Sequence, residues 1–70
     1  MKQATLQLIH DEAMVCASDI KMFGWNRKYE WKLWGYLECM CDLGYINYEE
    51  KDKIHEHYRK YFNELKASRN

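Results

Sequence analysis

Apolar residues recur at steps of three and four along most of this chain, the period of an α-helix that buries one face. The pattern breaks at Gly24 and again at Gly44, which divides the chain into three helical segments. In the first, Leu6, Ile9, Ala13, Cys16, Ile20 and Phe23 form the main stripe, which predicts a helix over about residues 3–23. Leu8, Val15 and Met22 form a second, thinner stripe at intervals of seven, separated from the main face by Glu12 and Asp19. That stripe is either the edge of a broad buried face or an oligomer interface with another copy.

Gly24 is suited to a left-handed helix end, because it has no Cβ to clash there. Asn26 follows as a candidate N-cap for a second helix over about 27–43. Tyr29, Leu33, Tyr36, Leu37 and Met40 share its inner face, with Trp34 and Cys41 at the edge. Trp31 projects the other way, toward Glu38 and Asp42, and Gly35 one turn on leaves room for a ring or a backbone. Leu43-Gly44 ends this helix, Ile46 plugs the corner, and Asn47 with Glu50 has the layout of a capping box. The third helix, about 48–67, carries Ile54, Tyr58, Tyr61 and Leu65 with Phe62 beside them. Its far side sets Glu49 against Lys53 and Glu56 against Lys60 at i,i+4. The fold class expected is all-α: one domain over residues 1–70, a compact antiparallel three-helix (up-down-up) bundle.

Composition narrows the function. Leu, Ile, Val and Phe number only 13 of 70 residues, but eleven aromatics supply the missing apolar area. Such a small core is thin, so self-association is expected to help it. Eleven basic residues balance eleven acidic ones, which removes any global footprint for nucleic acid. The N-terminal residues alternate polar and apolar too soon for a signal peptide, and the longest apolar run, residues 13–17, is far short of a membrane span. With three cysteines and no secreted disulfide pattern, a cytoplasmic location without membrane contact is expected.

Candidate chemistry is sparse. Cys39 and Cys41, like His55 and His57, stand two apart, so each pair points to opposite sides of its helix and cannot converge on zinc. No metal and no cofactor is expected. Cys16 sits in the core stripe, His10 projects away from it, His55 and His57 flank the core of the third helix, and no phosphate loop or nucleophile elbow is present, so an enzyme is not expected. A helix-turn-helix fails because Glu49 and Glu50 would enter the groove first. The run from Met40 through Gly44, Ile46, Asn47, Glu49 and Glu50 resembles that of many short bacterial oligomerisation hairpins, the SHOCT type included. The resemblance covers about eleven residues, has Lys51 where an aromatic is expected, and implies a helical hairpin only.

Arg27 and Lys28 are the oddest charges, because they occupy a first helical turn where the dipole disfavours cations. Pairing with Asp19 or Glu30 is the simplest account; an anion site with Trp25 stacking on a base is the sharper one. Trp25 and Trp31 fit the core least well, and exposed tryptophans anchor interfaces with large area and little rotamer loss. The expected function is that of a small non-enzymatic protein-binding regulator or inhibitor, self-associating, with Trp25, Arg27, Lys28 and Trp31 as the protein-binding patch. Leu8, Val15 and Met22 are the candidate oligomer interface. Stand-alone chains of this size often come from phages or mobile elements. The alternative is a nucleic-acid-binding accessory protein using Arg27, Lys28 and Trp25, and a weaker one is a thiol or metal protein using Cys39 and a histidine.

Overall fold

The computed structural model describes residues 2–68. Three helices form: α1 (Gln3–Phe23), α2 (Arg27–Asp42) and α3 (Tyr48–Ser68), each packed against the other two. Trp25, just before α2, meets Lys66 near the end of α3, and Trp34 meets His55, so α2 and α3 run in opposite directions. His10 meets Tyr58, and Met14 lines the same depression as Tyr61, so α1 and α3 run the same way. The chain is an up-down-up bundle.

Both turns use glycine at positive φ, in different ways. Gly24 lies at φ 93°, ψ 163° and donates its N–H to the Ile20 carbonyl at 2.9 Å. This is the extended glycine-only region rather than the left-handed helical one expected, because the chain must leave α1 extended to reach Asn26. Asn26 then accepts from the Lys28 N–H at 2.9 Å and caps α2. At the second turn the Gly44 N–H bonds the Cys41 carbonyl and the Tyr45 N–H bonds the Met40 carbonyl, both at 3.0 Å, which is the Schellman arrangement. The capping box forms with both arms: Glu50 N–H to Asn47 Oδ1 at 2.8 Å, and Asn47 N–H to Glu50 Oε1 at 3.0 Å.

The core is Ile9, Ala13, Cys16, Ala17 and Ile20 of α1, Tyr29, Leu33, Leu37 and Met40 of α2, Ile46 of the corner, and Phe62 of α3. Two residues of the expected α1 stripe are not in it. Leu6 is 39% exposed and Phe23 70%; both stand near the ends of a helix of 21 residues. Thr5 and Ala17 take the buried positions instead. Ile54, Tyr58, Tyr61 and Leu65 are only half-buried, leaving Phe62 as the one apolar α3 side chain fully inside among the described residues. Of the expected α3 surface pairs, Glu49–Lys53 forms at 3.4 Å, whereas Glu56 and Lys60 form no bridge.

Gly35 has no close neighbour: a Cβ built there meets nothing within 4 Å. The room that the sequence suggested it provides is not used inside this subunit. Gly35→Ala is therefore expected to raise the stability of the dilute chain by about 0.5–1 kcal/mol, the helix-propensity difference alone. Urea unfolding at low protein concentration checks this, and a loss of stability would mean that Gly35 has a packing role within the subunit.

Candidate protein-binding surface

At 3.6 residues per turn, the side of α2 opposite Tyr29, Leu33, Leu37 and Met40 carries Lys28, Trp31, Gly35, Glu38, Cys39 and Asp42. All six are exposed, with Arg27 and Lys32 exposed at the borders. Trp31 stands in the middle of this face with 66% of its surface exposed. Of the four patch residues expected from sequence, Arg27, Lys28 and Trp31 are thus placed on one solvent-facing helix side.

Trp25 is the exception. It is half-buried, packs against the core and carries the Lys66 ammonium 4.3 Å above its ring. The indole closes the bundle over the first turn, which the sequence could not reveal because Lys66 is distant along the chain. The expected pairing of Arg27 and Lys28 with Asp19 or Glu30 does not form either. Glu30 lies 3.9 Å from His55 Nε2 instead, and the Lys28 ammonium rests 5.2 Å over Tyr29. Cations at the first turn and carboxylates at the last each oppose the helix dipole, by about 0.3–1 kcal/mol apiece. On α2 both occur: no basic residue lies in its last turn, where Asp42 stands.

Leu8, Val15 and Met22 are all exposed on α1, so they are not the edge of a buried face within the subunit. Further along the surface, α1 and α3 leave an open depression of about 490 Å³ lined by His10, Met14, His57, Tyr58, Tyr61 and Glu64 among others. At its rim His10 Nδ1 and the Tyr58 hydroxyl share a hydrogen bond of 3.0 Å, and burial pushes the Tyr58 phenol up. Burial, then Glu12, also raises the Cys16 thiol, the direction opposite to an activated nucleophile. Cys39 is exposed and Cys41 half-buried.

Compared with family models, curated proteins and solved structures, the chain matches none. The resemblance of the Met40–Glu50 run to oligomerisation hairpins therefore stops at local turn geometry. Among the described residues no helix is long and apolar enough to cross a membrane, and no three His, Cys, Asp or Glu side chains group in a way that could hold a metal.

Two features escaped the sequence reading. Lys51 is buried, 9% exposed, with its ammonium 4.6 Å above Trp34 and 5.1 Å from the Tyr48 ring centre. The signal was its register, one turn before the half-buried Ile54 and His55. The other is the ring partner of His55, which flanks the core as expected and stands edge-on to Trp34 at 4.5 Å between α2 and α3. Burial lowers its pKa, outweighing the nearby Glu30 carboxylate, which acts to raise it. A lowered folded-state pKa means that His55 stabilises the fold while neutral. That contribution is present above the unfolded pKa of about 6.5 and lost as pH falls through the folded value. Between neutral pH and mildly acid pH, the wild-type chain should lose stability more steeply than His55→Gln, read from urea midpoints. Parallel slopes would show that His55 titrates alike in both states.

Proposed function

We propose that this chain is a small non-enzymatic regulator or inhibitor that works by binding protein through the outer face of α2, and that it self-associates. The observation carrying this reading is Trp31, a large ring left in solvent at the centre of a helix whose opposite side fills the core. Rigid aromatics of this kind supply interface area with few rotamers to lose. Arg27 and Lys28 flank it without an ion pair among the described residues, and Glu38 and Asp42 lie beyond it. Leu8, Val15 and Met22 offer a second exposed apolar line for contact with another copy. Three free thiols suit a reducing compartment such as the cytoplasm.

The nucleic-acid reading is less well supported. Its base-stacking ring, Trp25, is half-covered by Lys66, and its cations share their helix face with two carboxylates. It requires an affinity for DNA or RNA that falls steeply as salt is raised.

Trp31→Ala tests the protein-binding reading. The variant should melt within a few degrees of wild type, since the ring is not packed, and should lose capture of partners from a lysate of the source organism. A loss of stability near the ~3–5 kcal/mol of a core aromatic deletion would instead make Trp31 a packing residue.

A further inference from the structure

We infer that the outer face of α2 is self-complementary and pairs, antiparallel and about a two-fold axis at Gly35, with the same face of a second copy of this chain. This rests on the reading that the Trp31 face binds protein, and it names the partner. The first argument is charge. On this face Arg27, Lys28 and Lys32 occupy the N-terminal half of α2 and Glu38 and Asp42 the C-terminal half, while Glu30 of the first turn is turned toward His55. Within one subunit that polarity runs against the helix's own dipole at both ends. An antiparallel copy reverses the situation: Lys28 faces Asp42 of the partner subunit, Lys32 faces the partner's Glu38, and the two-fold repeats both pairs. The two macrodipoles also lie head to tail. Parallel pairing would set Lys28 against the partner's Lys28.

The second argument is shape. Gly35 falls on the axis, where the absence of a Cβ lets two helix backbones approach closely, and nothing within its own subunit occupies that space. Trp31 stands one turn away, opposite the partner's Cys39, where its indole covers the notch and is shielded from water. A mid-helix glycine, an exposed tryptophan beside it and dipole-opposed charges at both ends have no explanation in the isolated subunit, and a single contact accounts for all three. Lys32 already has a loose partner in Glu12 at 3.8 Å, so the Lys28–Asp42 pairs weigh more.

The α1 stripe lacks this complementarity. Antiparallel pairing about Val15 sets Asp11 against the partner's Asp19, and parallel pairing sets Asp11 against itself. A helix of 16 residues spans about 24 Å, so the α2 interface is small and its dimer reversible.

Sedimentation equilibrium of the purified full chain, reduced and over a wide concentration range, reads this directly. A monomer–dimer equilibrium that weakens with salt is expected. Lys28→Asp and Asp42→Lys should each weaken dimerisation about tenfold, and the double variant should return to within about threefold of wild type. Each single variant corrects a dipole conflict, so its melting temperature at dilution should hold or rise, which separates lost association from lost folding. Gly35→Leu should abolish the dimer and keep the fold. A monomer at every concentration overturns the inference, as does a double variant that fails to recover, or a dimer lost on Val15→Glu but indifferent to Lys28 and Asp42. If a monomeric chain still captures another protein through Trp31, the second-copy inference falls and the protein-binding reading stands.

Discussion

Phe62→Ala is expected to leave most of the chain unfolded at room temperature. Phe62 is 1% exposed and is the largest fully buried side chain. It is also the residue through which α3 reaches the centre of the core, since Ile54, Tyr58, Tyr61 and Leu65 remain half in water. Truncating a buried phenylalanine costs about 3–5 kcal/mol, including the cavity left behind. A single core in a domain of this size supplies about that much in total. The two magnitudes meet, so the helices lose their cooperative packing rather than merely loosening. Helices of 16 and 21 residues are marginal alone in water, and their helicity should fall with the core. Far-UV circular dichroism and a urea titration check this, with Phe62→Leu, which keeps most of the volume, expected to remain folded. A Phe62→Ala chain with a normal cooperative transition would mean that the half-buried aromatics, not Phe62, hold α3.

Lys51→Glu is the second large effect, and its sign has to be argued because two terms compete. Lys51 lies in the first turns of α3, near Glu49 and Glu50, where the helix dipole favours acid. On that ground alone a glutamate gains about 0.3–1 kcal/mol. Against it stand two lost cation–π contacts, to Trp34 at 4.6 Å and Tyr48 at 5.1 Å, each worth about 0.5–2 kcal/mol when shielded from water. The carboxylate would also meet the negative faces of those rings and lose solvation. The losses win, and a net destabilisation of about 2 kcal/mol is expected. Lys51→Met is the informative contrast: it keeps the buried stem, removes the dipole conflict, and should stay within about 1 kcal/mol of wild type. Equal losses in the two variants would show that the missing ammonium, common to both, accounts for the whole effect and that the new carboxylate adds nothing.

The two surfaces considered for function differ in how legible they were. The outer face of α2 follows from helical period: once Leu33 and Leu37 point inward, Trp31, Glu38 and Asp42 must point out. Trp25 obeys no such rule. It lies between helices, where no period assigns a direction, and a lysine 41 positions away in the chain covers its ring. The same limit applies to Leu6 and Phe23, whose place on the stripe was right locally but whose burial depended on how far the neighbouring helices extend.

What this sequence determined by itself is local: three helices set by the period of apolar residues, a Schellman turn and a capping box written in Leu43, Gly44, Asn47 and Glu50, and an indole at position 31 facing outward. These depend on φ/ψ preference and on groups within a few residues of one another. The tertiary structure alone decided that Lys51 lies under two aromatic rings, that His55 is desolvated between helices and that Trp25 closes the bundle. Each of those depends on which side chains from distant segments arrive at the same point, and burial there is a property of the packed ensemble of helices rather than of any one of them.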